Sequence, residues 1–121
     1  MIRIYRDDED ALKLEFNFTG AVKLKEMFEK SLDKGKAGIQ ISNSYLEDYK
    51  PIHVFIVTNQ GDPSELTYNE GEIILELDSD IIEFSIDRFN DSVSNKDFFP
   101  AEICDVDYKE FELTIYGIFI G

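Results

Sequence analysis

Histidine, cysteine and tryptophan are almost missing from this chain: one His, one Cys and no Trp in 121 residues. A lone cysteine, Cys104, excludes an intramolecular disulfide framework. A lone histidine, His53, largely excludes histidine metal sites and His-based acid–base pairs. No Gly-rich phosphate loop, P-loop or G-x-S-x-G elbow occurs. No apolar run approaches a membrane span, and the opening MIRIYRDDED has no apolar core of a secretion signal. A soluble, cytoplasmic protein without membrane association is therefore expected. Basic residues are also few, 12 against 26 acidic ones, for a net charge of −14.

Hydrophobic residues make up 43% of the chain, a globular rather than disordered composition. Its length suits one domain over residues 1–121 with a real core. The charge is unevenly placed. Residues 1–60 hold nine Lys/Arg and ten Asp/Glu, net −1, whereas residues 61–121 hold three and sixteen, net −13. Such a surface repels nucleic-acid and membrane phosphates and attracts a basic partner toward the second half. Plain solubility is the bland explanation of the same charge. It gives no preference between monomer and homodimer.

Along the chain, Ile2–Tyr5 reads as a short strand turned back by the acidic run Arg6–Asp10. Leu12, Leu14, Phe16 and Phe18 alternate with polar residues, the period of a half-buried strand. Thr19 caps a helix over Gly20–Lys34, with Ala21, Leu24, Met27, Phe28 and Leu32 on one arc, Lys23, Lys30 and Lys34 on another, and Gly35 as its stop. Ala37–Ser42 returns as a strand, Asn43–Pro51 reads as a loop, and His53–Thr58 as a central strand. Leu66–Tyr68 and Glu72–Leu77 flank a hairpin turn. A second helix spans Asp80–Ser94, opened by the acidic capping pair Asp80 and Glu83, with Ile82, Ile86, Phe89 and Val93 on one face. Alternation of Ile82, Phe84 and Ile86 leaves a hairpin strand over Asp80–Asp87 as the alternative. Asn95–Pro100 connects to strands over Ala101–Asp107 and Phe111–Ile120. The order predicts an α+β fold: a mostly antiparallel sheet of six to eight strands with two helices on one face. It also suggests a strand–strand–helix–strand pseudo-repeat with one extra closing strand.

The catalytic inventory is thin. His53 lies within an apolar strand, where a structural role outweighs a general base. Cys104 alternates with Val106 and Tyr108 as a core-facing thiol, and Glu102, Asp105 and Asp107 would raise its pKa. Asp78, Ser79 and Asp80 begin like a calcium loop but lack the downstream glycine and bidentate glutamate. Neither an enzyme, a metal nor a cofactor is expected.

Surfaces are more informative. Asp80, Glu83, Asp87 and Asp91 share one arc of the second helix, away from its apolar face, with Phe84 at the edge. A solvated helix face is the commonest fate of this pattern. Yet like charges at helical spacing repel, and an aromatic among charges is a typical anchor. The loop carrying Tyr45, Glu47, Asp48 and Tyr49 has the same mixture, so these nine residues form the candidate partner-binding set.

Size, the lack of a secretion signal, the acidic second half and the segment IILELDSDIIEFSIDRF…FFPAEICDV together resemble the small acidic immunity proteins of bacterial polymorphic toxin and contact-dependent growth inhibition systems. The resemblance implies a cytoplasmic, non-enzymatic binder of a cognate toxin domain, often a basic nuclease. It transfers no functional residue by position. Two other readings fit the same charge: a nucleic-acid mimic that inhibits a host DNA-binding or restriction protein, and a small carboxylate-based enzyme or ligand-binding domain.

Overall fold

The computed structural model describes residues 1–47, 50–60, 63–95 and 101–120. In chain order the elements are β1 (Ile2–Asp8), β2 (Ala11–Phe16), α1 (Phe18–Lys34), β3 (Lys36–Glu47), β4 (Lys50–Thr58), β5 (Glu65–Asn69), β6 (Glu72–Glu76), α2 (Ser79–Asn95), β7 (Ala101–Tyr108) and β8 (Phe111–Phe119). The fold is α+β, as its sequence pattern predicts. The stretch beginning at Asp80 is helical, and the hairpin-strand alternative is excluded.

The sheet is not open. Its strands close into a barrel in the order β1-β2-β8-β7-β5-β6-β4-β3. Four antiparallel hairpins, each of two consecutive strands, alternate with four parallel seams. Exchanging β1–β4 with β5–β8 leaves this ring order unchanged. The repeating unit is thus strand–strand–helix–strand–strand, and β4 belongs to the first copy rather than standing outside the repeat. Two seams are extensive, β2–β8 and β4–β6. The other two are single bridges, Tyr5 beside Tyr45 and Glu65 beside Asp107.

Local chemistry places the boundaries. Asn17, not Thr19, caps α1: its Oδ1 accepts the Gly20 N–H at 2.8 Å, satisfying one of the donors a helix start leaves free. Gly35 ends that helix in a left-handed conformation, φ 91°, and its N–H donates to the Ser31 carbonyl. Asp78 takes the corresponding role at α2, accepting the Ile81 N–H at 2.9 Å, so Asp80 is a first-turn acid rather than the cap. β3 runs on to Glu47 through what reads as a loop. A register shift between Gln40 and Ser44, with Asn43 at φ 51°, bulges the strand, and asparagine tolerates that backbone. At the β5–β6 turn, Glu70 and Gly71 both have positive φ, as a two-residue hairpin of this hand requires. Gly71 also has to be bare, because a Cβ there would sit 2.8 Å from the His53 ring.

One core joins the helices to the barrel interior. Phe28 of α1 and Phe89 of α2 meet edge-to-face at 5.0 Å, Phe16 of β2 packs on Phe89 at 5.6 Å, and Phe55 of β4 packs on Phe28 at 6.3 Å. All four rings are fully buried; burying each contributes about 1.5–3 kcal/mol. The buried face of α2 comprises Ile82, Ser85, Phe89 and Ser92, with Ile86 and Val93 half-buried at its side. Ser85 can be buried because its hydroxyl donates to the Ile81 carbonyl one turn back. Among the described residues no helix is long and apolar enough to cross a membrane.

Candidate functional site

On α2 the carboxylates of Asp80, Glu83, Asp87 and Asp91 are all exposed. Glu83 and Asp87, then Asp87 and Asp91, stand one turn apart, each like-charged pair costing about 0.2–0.5 kcal/mol. Phe84 is 46% exposed. Arg88 makes no ion pair with this arc; its guanidinium lies over the Phe84 ring at 5.2 Å.

Strand register adds a second set that sequence reasoning missed. Glu76 on β6 stands opposite Glu65 on β5, Glu65 is bridged to Asp107 on β7, and Asp107 stands opposite Glu112 on β8. The flanking pairs Leu66/Leu75 and Val106/Leu113 are buried, so by strand alternation these four carboxylates share the outer face. The result is a row of acids crossing four adjacent strands about 4.8 Å apart. Like charges directly opposite are destabilising, by roughly 0.2–1 kcal/mol per pair before salt screening. Asp105 extends the patch and accepts the Thr114 hydroxyl at 2.6 Å. The carboxyl of Glu102 is pushed above its ordinary pKa, first by the Asp105 charge, then by desolvation, a hydrogen bond with Asp105 and the Glu112 charge. Phe111, 60% exposed, stands at the tip of the hairpin that carries Asp107 and Glu112.

The first half solves the same geometry differently. Arg3 stands opposite Glu15 and Tyr5 opposite Lys13; Arg3 pairs with Glu15 at 3.8 Å and the Tyr5 hydroxyl donates to Glu15 at 2.6 Å. Among the described residues every ion pair lies within residues 3–50. No described carboxylate of the second half has a cationic partner.

Tyr45 and Glu47 lie elsewhere. Tyr45 is on β3, not in a loop, 38% exposed and tilted on Tyr5 at 6.2 Å. Glu47 is ion-paired to Lys50 at 3.2 Å and Arg6 at 3.6 Å. Burial opposes its ionisation, but the hydrogen bond and charge of Lys50, helped by Lys109, bring its pKa below the ordinary value. Asp48 and Tyr49 lie outside the described residues.

Cys104 is buried, and burial, reinforced by Asp105 and Glu102, pushes its thiol up to about 12, which holds it protonated and unreactive at neutral pH. His53, exposed within β4, has its ring against Gly71. Among the described residues no group of three or more His, Cys, Asp and Glu is arranged to hold a metal ion. No protein-family model, curated protein or solved structure matches the chain.

Proposed function

We propose that this chain is an acidic binding protein of the immunity type, which neutralises a cognate basic toxin domain, a nuclease by the sign of its charge, by docking it on the second half. One observation carries the reading: the row Glu76, Glu65, Asp107 and Glu112, in which like charges face one another across four strands without a single lysine or arginine partner. A fold gains nothing from that row when free, and the same architecture in the first half uses paired charges. A lysine- and arginine-rich surface converts the repulsion into attraction, speeds encounter and selects against acidic competitors. The helix arc with Phe84, and Phe111 at the hairpin tip, supply the aromatic anchors that charge alone does not. In this reading the chain performs no chemistry. It occupies the phosphate-binding surface of its target.

The evenly spaced row also supports a second reading, a nucleic-acid mimic aimed at a host DNA-binding protein, since it lines up negative charges as a phosphate backbone does. Partner identity separates the two. The chain, immobilised in low salt, is expected to retain the basic C-terminal domain of a large protein encoded next to it and release it as salt rises. Capture of host DNA-binding proteins alone would support mimicry. Retention of no basic protein, or retention insensitive to salt, rules out both.

A further inference from the structure

We propose that the gap between β1 and β3 is a strand-docking groove that takes an extended peptide, apolar in its middle and acidic at its ends. This inference is independent of the acidic surface and lies on the opposite half of the molecule.

The gap follows from topology. β1 and β3 share one ladder bridge, Tyr5 beside Tyr45, and side-chain contacts from Arg3 to Asn43, Ile4 to Ser44 and Arg6 to Glu47. Among the described residues, 36–41 of β3 have no ladder partner on that side. The space left is a groove of about 860 Å³ lined by Ile2, Met27, Ile39 and Ile41, with Lys23 and Lys30 among its α1 residues. That volume falls within the range of about 300–1,000 Å³ usual for ligand sites.

Backbone accounting points to a peptide rather than a small molecule. The Asn59 N–H donates to the Gly35 carbonyl, so Gly35/Asn59 is a hydrogen-bonded pair of the β3–β4 ladder. By alternation Ala37/Val57 and Ile39/Phe55 are the next two. The other edge of β4 agrees from Val54 onward: the Gly71 carbonyl accepts from Val54 and, at the turn into this stretch, from His53, and Thr58 accepts from Leu77. Gly38 and Gln40 therefore turn both N–H and C=O away from β4, into the gap. Both residues are exposed, and no described backbone or side-chain group bonds them there. An unpaired strand edge beside apolar pockets is the arrangement that accepts an added strand. Gly38 is bare for a reason on its paired side, where a Cβ would press on Ile56 of β4 at 3.0 Å.

Charge selects the occupant. Lys23 and Lys30 are exposed on the rim without ion pairs and outnumber Glu26 between them. Pairing β3 with β3 of a second copy would bring both lysine sets together, so acidic ends on a foreign peptide fit better than self-association.

The test uses the full chain and a fluorescein-labelled nonapeptide with a Val-Thr-Val-Thr-Val centre and two aspartates at each end, followed by anisotropy. Saturable binding is expected, with the Gly38 and Gln40 amides gaining protection from hydrogen exchange. The lysine-ended analogue should bind at least about tenfold more weakly, as should the aspartate-ended peptide to the Lys23→Glu/Lys30→Glu variant. Gln40→Pro removes an N–H that the β3–β4 ladder does not use, so it should abolish binding while the unfolding midpoint stays at the wild-type value. If Gln40→Pro proves unfolded, the lysine variant and the exchange data still decide. The proposal is overturned by absence of saturable binding, by equal affinity for the lysine-ended peptide, by dimerisation through this edge, or by saturation with a straight-chain fatty acid but not with the peptide.

Discussion

Glu65 lies beside Asp107 at the single bridge that joins β5 to β7, where the matching seam of the first half places Tyr5 beside Tyr45. Two carboxylates thus meet at one of the weakest joints of the barrel, and each has a further acid on its other side, Glu76 and Glu112. Leu66, Leu75, Val106 and Leu113 are buried beneath this joint. The joint leaves repulsion that a basic partner can relieve.

Glu65→Lys places a cation between Glu76 and Asp107. Replacing two repulsive neighbours by attractive ones should stabilise the free protein by about 0.5–2 kcal/mol at low ionic strength, read as a higher urea midpoint with an unchanged slope. The same variant should lose affinity for the basic partner. A midpoint equal to or below that of the wild type would show that the row carries no repulsion.

Neutralising the helix arc with Asp87→Asn/Asp91→Asn should slow association with the basic partner and flatten its salt dependence, with dissociation little changed. Stopped-flow measurement at two ionic strengths checks this. An association rate equal to the wild type at low salt removes α2 from the interface.

Phe84→Ala and Phe111→Ala separate binding from stability. Both rings are largely exposed, so each substitution should alter unfolding free energy by no more than about 0.5 kcal/mol. An anchoring ring, by contrast, costs about 2 kcal/mol of binding when truncated. Calorimetric titration of the partner assigns the anchor to whichever ring carries that loss.

Glu102 sets a pH dependence. Its folded pKa is raised, chiefly by Asp105, so its neutral form is favoured in the folded state and its ionised form is penalised. Its contribution to stability is complete below the unfolded glutamate pKa and is lost as pH rises through the higher folded value. Thermal unfolding should therefore show Glu102→Gln more stable than the wild type at pH 7, with the difference shrinking on acidification toward the ordinary glutamate pKa. Glu47, whose pKa is lowered, acts oppositely at lower pH: its pairing with Lys50 is lost as pH falls through its folded pKa. A pH-independent gap between Glu102→Gln and wild type would contradict the assignment.

Cys104 should resist thiol reagents in the native state and react fully in denaturant, because its thiol, pushed up to about 12, is buried and protonated. Labelling of the folded protein at the rate of a free thiol would mean that β7 opens readily.

Much of this molecule is legible from local pattern. The 3.6-residue spacing of Ile82, Ile86 and Phe89 identifies α2 and the exposure of Asp80, Glu83, Asp87 and Asp91, because a helix face is set by residues one turn apart. Alternation similarly yields the strands, and Gly35 the end of α1. What local pattern misses is either small or non-local. Ser85 and Ser92 lie on the buried face of α2, where no hydrophobicity reading expects hydroxyls. Asn43 bends β3 and so disguises the second half of that strand as a loop.

The carboxylate arc on the second helix was thus determined by sequence alone, since spacing along one helix decides which side chains share a face. Only the tertiary structure decided that Glu76, Glu65, Asp107 and Glu112 form one row, because that depends on ring closure and on register between strands distant in the chain. The same closure leaves β1 and β3 parted and the Gly38 and Gln40 backbone unpaired. Hydrogen-bond pairing across a barrel is a global property, and no window of sequence contains it.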